Sequence, residues 1–98
     1  MDIKTDAQKG MRIDLGCGAA KKEGTLGIDA FQGPGVDYVH DIENQPLPFA
    51  DRTVEYVFSS HFLEHLTEVA RVFAEIGRVC TDRAELELWT PYAWHNNA

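Results

Sequence analysis

The sequence has little of three features, and each shortage excludes a class of protein. Two cysteines in 98 residues are too few for a disulfide framework, which favours a reducing, cytoplasmic environment. No apolar run approaches the roughly 20 residues of a membrane-spanning helix, and the amino terminus lacks the pattern of a secretory signal, so we expect no membrane partner. Nine basic against sixteen acidic residues give a net charge of −7, which excludes nucleic-acid binding through bulk positive charge.

The remaining composition is that of an ordinary globular domain. Apolar residues make up 44% of the chain and charged residues 26%, which excludes a disordered or collagen-like protein. A chain of this length forms one domain at most. We therefore expect a single domain over residues 1–98, with residues 1–10 frayed because they are polar.

Hydrophobic patterns predict an α/β fold. Runs rich in β-branched and aromatic residues predict five strands, at 12–15, 25–30, 36–39, 54–59 and 84–90. Between the last two, apolar residues recur every three or four positions, which predicts one long helix at about residues 62–79. The expected architecture is a Rossmann-like, mostly parallel five-stranded sheet with few helices.

The fifth predicted strand is expected to have an exposed surface. One helix cannot cover both faces of a five-stranded sheet, and the last strand would be an open edge. Three aromatic residues, Trp89, Tyr92 and Trp94, crowd the end of the chain and are typical of a partner surface. We therefore expect self-association, with a homo-oligomer as the product.

The first motif that carries chemistry is a glycine turn. The first predicted strand runs directly into Gly16, Cys17 and Gly18, and a glycine turn at the end of a parallel strand lets a ligand approach the backbone closely. Asp29 ends the second strand, where an acid can accept hydrogen bonds from two ribose hydroxyls, although it fits a solvated turn as well. Cys17 is either a reactive thiol or a small packing residue beneath the turn.

Several ordered motifs together resemble the class I S-adenosylmethionine-dependent methyltransferase family, most closely its short-loop, methyltransferase type 11-like members. The similar stretches are Asp14–Gly18, Lys22–Asp29, His40–Ile42, Leu47–Asp51, Val54–Val57, Ser60–Leu66, Glu75–Val79 and Glu85–Leu88. The resemblance implies transfer of a methyl group from S-adenosylmethionine, as a small-molecule cofactor, to an acceptor that the sequence does not identify.

The resemblance also implies roles for the residues around the first two strands. Asp14, Gly16 and Gly18 would border the methionine part of the cofactor, with Cys17 in the same turn. Asp29 would bind the ribose. Acidic residues suit a ligand that carries a positively charged sulfonium.

Further roles are implied at the ends of the third and fourth strands. Asp41 and Ile42 would flank the adenine, the acid meeting its exocyclic amine and Ile42 packing on the ring. Ser59 or Ser60 would face the methyl-transfer site. His61 would act as a general base, since an imidazole exchanges protons near neutral pH, or would be an ordinary polar residue at a helix start.

The sequence departs from the family pattern in three places. Ala19 and Ala20 replace the third glycine of the first turn, and Asp82 lies where the family has a lysine-proline-glycine-glycine turn. The chain ends at Ala98, where the family continues with a helix and two more strands, so we expect it to be truncated after the fifth strand. The alternative to an active enzyme is a truncated or degenerate module that binds the cofactor or a partner without catalysis.

A zinc site is a third, distant interpretation. Residues 61–65 fit the H-x-x-E-H motif, in which His61 and His65, one helical turn apart, share a zinc ion and Glu64 is the base. No third ligand at helical spacing is evident in the sequence. We therefore predict no metal.

Overall fold

The computed structural model describes residues 10–90, which contain a five-stranded sheet. The elements are β1 (Met11–Leu15), β2 (Leu26–Asp29), β3 (Tyr38–Val39), β4 (Val54–Ser60), a 3₁₀ helix (Leu63–His65), α1 (Val69–Val79) and β5 (Cys80–Trp89). The strand order is β3-β2-β1-β4-β5, and every neighbouring pair is parallel. The predicted Rossmann-like α/β class is thereby confirmed. The predictions for Tyr92, Trp94 and residues 1–9 lie outside the described residues.

The centre of the sheet is β1, which pairs with β2 on one side and β4 on the other. Ile13 is in register with Leu26 and with Val57, and Leu15 with Ile28. Ile13, Leu15, Ile28 and Val57 are all buried, and they belong to the core of the domain. Because all five strands are parallel, the loops that follow them meet at one edge of the sheet, where ligands bind in open α/β folds.

The helix α1 covers one face of this sheet. Val72, Ile76 and Val79 lie on one side of it and are buried in the core, where Leu47 and Phe49 from the β3–β4 loop join them. Among the described residues, no helix covers the opposite face, which agrees with the prediction of few helices. Within residues 10–90, no helix combines the length and the apolar character that crossing a membrane requires.

The predicted start of the helix at residue 62 is wrong. Residues 63–65 form a 3₁₀ turn, Leu66 is extended, and α1 begins only at Val69. A contact from far along the chain causes this break, because the Glu43 carboxylate accepts hydrogen bonds from the backbone N–H groups of Thr67 and Glu68. The two N–H groups thus have a partner outside the helix, and an acid beside a helix start is also favoured by the helix dipole.

The strand β5 is also longer than predicted. It begins at Cys80, directly after α1, whereas the sequence predicts a start at residue 84. Cys80 pairs with Val54 and Glu85 with Tyr56, so β5 contains extra residues that β4 lacks and the register shifts between the two pairs. The departure from the family pattern at this position is therefore accommodated as an irregularity within the strand.

The second half of β5 forms an edge of the sheet. Glu85 is exposed, as its alternation with leucine predicts, but Leu86 on the other face is half-exposed as well. Trp89 is also partly exposed. Self-association through this edge remains a prediction.

Candidate functional site

The glycine turn after β1 is held against β2. Gly16 and Gly18 have φ values of 67° and 62°, in the left-handed region that glycine adopts without strain. The N–H of Gly16 donates to the carbonyl of Ile28 over 2.7 Å. Asp14, which is buried, accepts a hydrogen bond of 2.8 Å from the N–H of Lys22, and burial raises its pKa. Asp14 therefore closes the loop that follows the turn.

Asp29 joins the glycine turn to the end of β2. Its Oδ2 atom accepts a hydrogen bond of 2.8 Å from the N–H of Gly18, and its Oδ1 atom accepts one of 2.7 Å from the N–H of Ala30. Two backbone donors thus fix the orientation of this carboxylate. The two residues that the sequence singles out, Gly18 and Asp29, are therefore in direct contact, and they line a cavity of about 340 Å³.

Cys17 lies beneath the turn rather than in the cleft. Its Sγ atom is 3.3 Å from the carbonyl oxygen of Gly35, to which the thiol donates, and it packs so tightly against Gly27 that a β-carbon there would lie 2.7 Å from the sulfur. Burial raises the pKa of the thiol to about 11. This geometry is that of a packing residue and not of a reactive thiol.

A small cavity of about 100 Å³ lies beside the end of β3. Asp41 and Ile42 line it together with Ala30, and Phe62 and Leu66 form its far wall. Ile42 is buried and presents an apolar surface, whereas Asp41 is exposed. The two residues that the resemblance assigns to adenine therefore share one cavity with the residue that follows Asp29.

The Asp41 carboxylate is oriented by its own turn. Both of its oxygens are within 3.3 Å of the Asn44 side-chain amide, and Oδ1 also accepts a hydrogen bond from the Asn44 backbone N–H. The sequence analysis does not identify Asn44 in this role. A turn in which an aspartate binds the backbone a few residues later is the signal that would have found it.

Phe62 is a second residue of the site that sequence reasoning missed. A β-carbon added to Gly16 would lie only 2.2 Å from the Phe62 ring, so this ring occupies the space that a larger residue would need. The contact joins the glycine turn to the segment after β4. No local pattern marks Phe62, because its partner Gly16 lies far away in the sequence, in the turn after β1.

Ser59 does not face the cleft, contrary to the implication of the resemblance. Its side chain is fully buried, and its hydroxyl donates a hydrogen bond of 2.9 Å to the carbonyl of Leu15. Successive residues of a strand point to opposite faces, so Ser60 points to the other side of the sheet and is half-buried. Ser59 therefore ties β4 to β1, and its buried hydroxyl is not accessible to a ligand.

His61 stands at the carboxyl end of β4 with its side chain 67% exposed. Its backbone is in the left-handed region at φ 56°, and its N–H donates to the carbonyl of Trp89 over 2.7 Å. The imidazole Nδ1 lies 3.8 Å from Glu64 Oε2, and His65 Nε2 lies 3.9 Å from the same oxygen. Both imidazoles thus flank one carboxylate.

The zinc interpretation requires a helical turn over residues 61–65, which the structure does not have. The backbone of His61 is left-handed and residues 63–65 form a 3₁₀ turn, so the two histidines are not successive ligands on one face of an α-helix. Residues 10–90 contain no group of three or more histidine, cysteine, aspartate or glutamate side chains that could hold a metal ion.

The parallel sheet and the glycine turn at its carboxyl edge define a Rossmann-like α/β domain. Residues 19–86 match the family described as "Methyltransferase domain". The chain therefore belongs to the class I S-adenosylmethionine-dependent methyltransferase family, which confirms the resemblance. The match spans β2 to β5 and begins just after the glycine turn. No curated protein and no solved structure is significantly similar to the chain.

Proposed function

We propose that this chain binds S-adenosylmethionine at the carboxyl edge of the sheet and transfers its methyl group to an acceptor. The observation that carries the proposal is the carboxylate of Asp29, which two backbone N–H groups hold at the end of β2 beside Gly18. Each of its oxygens accepts one hydrogen bond from the chain and has lone-pair capacity left for a ribose hydroxyl. These two acceptor oxygens suit the two ribose hydroxyls of the cofactor.

The adenine would enter the cavity of about 100 Å³ that is lined by Ala30, the residue after Asp29. Its small size admits a planar ring, against which Ile42 and Phe62 supply apolar surface. The carboxylate of Asp41, oriented by Asn44, would accept the hydrogen bond of the exocyclic amine. Hydrogen bonding of this kind together with apolar packing distinguishes one base from another.

The methionine part would lie along the glycine turn. The backbone of Gly16, Cys17 and Gly18 forms its border, and Asp14 holds the loop that completes it through the N–H of Lys22. Ser59 acts indirectly, because its hydrogen bond to Leu15 fixes β4 beside the turn. The role of Asp14 is thus to position the turn.

The chemistry requires little beyond alignment. The cofactor supplies a methyl group bonded to a sulfonium sulfur, which an acceptor displaces in line. The chain orients the two reactants, and His61, exposed at the end of β4, would take the proton that the acceptor loses. Three acidic side chains at the carboxyl edge, those of Asp14, Asp29 and Asp41, suit a cationic ligand.

Calorimetric titration with S-adenosylmethionine and S-adenosylhomocysteine tests the binding. We expect both to bind, and Asp29→Asn to weaken both by about tenfold or more, because a hydrogen bond from a ribose hydroxyl to a charged oxygen is lost. The control is Asp82→Asn, which removes the same charge from an exposed position at the amino end of β5. Absence of binding by the unmodified chain would refute the cofactor, and equal affinity of the two variants would refute the role of Asp29.

The alternative function is a module that binds the cofactor without catalysis. This alternative predicts the same titration curves as an active enzyme. It differs in predicting that S-adenosylmethionine is never converted to S-adenosylhomocysteine. We expect the chain, incubated with S-adenosylmethionine and an extract of small metabolites, to release S-adenosylhomocysteine. Binding without any release would favour the alternative.

A further inference from the structure

The cavity proposed for adenine has two walls that come from different parts of the chain. One wall follows β3 and carries Asp41, Ile42 and Glu43. The other wall follows β4 and carries Phe62 and Leu66. Only about 100 Å³ of space lies between them. The size of the cavity therefore depends on what holds the second wall against the first.

The second wall is built on one 3₁₀ turn. The Phe62 carbonyl accepts a hydrogen bond of 3.0 Å from the N–H of His65. The Leu63 carbonyl accepts one of 3.2 Å from the N–H of Leu66, and the Leu63 side chain is buried in the core. Because one turn joins Phe62 to Leu66, a contact that fixes the end of this turn fixes both side chains.

Glu43 supplies such a contact. Its Oε2 atom accepts hydrogen bonds from the backbone N–H groups of Thr67 and Glu68, the second over 2.8 Å, and these two residues directly follow Leu66. The Glu43 carbonyl accepts a further hydrogen bond of 2.8 Å from the guanidinium of Arg71. Both the side chain and the backbone of Glu43 are therefore bound to the segment that follows the second wall.

Stabilisation of the start of α1 accounts for only part of this arrangement. A carboxylate beside the first turn of a helix is favourable wherever in the chain it comes from. Glu68 stands at the start of α1, yet its side chain forms no capping hydrogen bond. The hydrogen bonds come instead from Glu43, which itself lines the cavity. The same contact thus fixes the start of the helix and the separation of the two walls.

We propose that Glu43 is a positioning residue of the adenine cavity, which fixes Phe62 and Leu66 opposite Ile42 and thereby excludes bases larger than adenine. The proposal rests on the proposed S-adenosylmethionine site. Specificity is a difference between two affinities, and a larger base binds less tightly because it must displace a wall that Glu43 holds. Release of Glu43 should lower this cost for the larger base.

Titration of the full 98-residue chain with two nucleosides measures the exclusion. The probes are adenosine and adenosine that carries a benzyl group on its exocyclic amine (benzyladenosine). Both keep the ribose and one N–H on that amine. We expect the unmodified chain to bind adenosine more tightly by about tenfold or more. The ratio of the two affinities does not depend on the folded fraction of a variant, because both affinities fall by the same factor.

Two variants of Glu43 and a matched control test the role of its carboxylate. Glu43→Ala should reduce the preference for adenosine to about threefold or less, because both hydrogen bonds of the carboxylate are lost. Glu43→Gln keeps an acceptor oxygen at the same reach and should retain most of the preference. Glu68→Ala removes the same side chain from an exposed position at the start of α1, and should leave the preference unchanged.

Arg71→Met separates the position of the wall from the volume of the Glu43 side chain. Arg71 is not among the residues that line the cavity, so this substitution loosens the wall without enlarging the cavity directly. We expect a preference between those of the unmodified chain and Glu43→Ala. An unchanged preference in Arg71→Met would assign the effect of Glu43→Ala to lost volume, and would overturn the positioning role.

Two further outcomes would overturn the proposal. These are equal affinity of the unmodified chain for the two nucleosides, and the same preference in Glu43→Ala as in Glu68→Ala. Titration with S-adenosylhomocysteine reports separately on the proposed function. Its binding without any preference for adenosine would refute only the role of Glu43. If the unmodified chain bound neither S-adenosylhomocysteine nor adenosine, the cofactor site would be refuted, and the role of Glu43 with it.

Discussion

The ring of Phe62 lies directly over the backbone of Gly16. A β-carbon at Gly16 would stand 2.2 Å from the ring and 2.8 Å from the Phe62 β-carbon, distances at which atoms cannot pack. By contrast, a β-carbon at Gly18 would meet no atom within 4 Å, although both glycines have positive φ. The two glycines of the turn are therefore required for different reasons.

Replacing each glycine by alanine should separate the effect of the left-handed backbone from the effect of the contact with Phe62. Gly18→Ala carries only the cost of a left-handed residue, roughly 1 kcal/mol of the free energy of unfolding. Gly16→Ala carries this cost and that of the collision with Phe62, so we expect a total loss of about 2–4 kcal/mol. Urea denaturation followed by circular dichroism measures both.

The double variant Gly16→Ala with Phe62→Ala supplies the control. If the collision with the ring is the cause, removal of the ring should recover part of the additional loss, and the two substitutions will not be additive. Recovery is incomplete because the β-carbon of residue 62 stays in Phe62→Ala and would still lie 2.8 Å from the new β-carbon. Additive losses, or equal losses for Gly16→Ala and Gly18→Ala, would contradict the packing of Phe62 on the turn.

Arg78 joins α1 to the β3–β4 loop. Its guanidinium donates to the carboxylates of Glu75 and Asp51 and to the carbonyls of Leu47 and Phe49, at distances of 2.7–3.0 Å. The hydrogen bond from Arg78 lowers the pKa of Glu75, although burial opposes this. The loop that leads to β4 is thus held to the helix by Arg78, and Glu75 adds to this by accepting a hydrogen bond of 2.7 Å from the Leu47 N–H.

This network predicts a dependence of stability on acid. The folded-state pKa of Glu75 lies below its ordinary value of 4.5, so its stabilisation is complete above that pH and is lost as pH falls through the lowered pKa. Arg78→Met should reduce the free energy of unfolding by about 2 kcal/mol at neutral pH. In Arg78→Met the free energy of unfolding should also fall less steeply as the pH is lowered. Urea denaturation from neutral pH to about pH 3 measures the difference.

The control for this network is Arg83→Met, which removes an equal charge from an exposed position in β5. We expect its effect to be within about 0.5 kcal/mol. If Arg78→Met kept the full acid dependence of the unmodified chain, the coupling between Arg78 and Glu75 would be disproved.

The sequence predicts the sheet well because the residue patterns that mark each strand lie within the strand itself and the turn that follows it. β-Branched runs and glycine turns mark β1, β2 and β4, and the motif order indicates which strand ends bear ligand-binding residues. Asp29 and Asp41 follow from this order, since Asp29 ends β2 and Asp41 lies two residues after the end of β3. A contact that depends on the neighbouring strand cannot be predicted in this way, as Ser59 shows: alternation gives two faces, but only the fold decides which one is buried.

The break before α1 illustrates the same limit. Apolar spacing continues from Leu63 to Val79 and predicts one helix, whereas Glu43, 25 residues before Glu68, caps a shorter one. The burial of the Glu64 side chain is equally hidden from the sequence. The sequence shows only a short histidine-glutamate motif, and whether its carboxylate is buried depends on how α1 and β5 pack.

The half-buried position of Cys17 beneath the turn predicts a slowly reacting thiol. With its pKa raised to about 11 by burial, little thiolate forms at pH 8, and alkylation by iodoacetamide should be roughly a hundredfold slower than that of glutathione. Mass spectrometry of the peptide that contains Cys17 measures the rate. In urea the rate should rise to that of glutathione, and a native rate equal to the unfolded one would show that the thiol is accessible and reactive.

The exposed imidazoles at the end of β4 allow a test of the general base. His61 and His65 are similarly exposed and lie at nearly the same distance from Glu64 Oε2. If His61 accepts the proton of the acceptor, His61→Gln should lower the rate of S-adenosylhomocysteine formation, with the metabolite extract as the source of acceptor, by about a hundredfold or more. The affinity for S-adenosylmethionine should not change, because His61 lines none of the cavities beside Asp29 and Asp41.

The matched control for this test is His65→Gln, which should retain most of the rate. A split between rate and affinity distinguishes a base from a residue that shapes the cofactor site. His61→Gln should lower the rate and leave the affinity for S-adenosylmethionine unchanged. Equal losses of rate in the two variants would leave positioning of Glu64 as the role of both histidines.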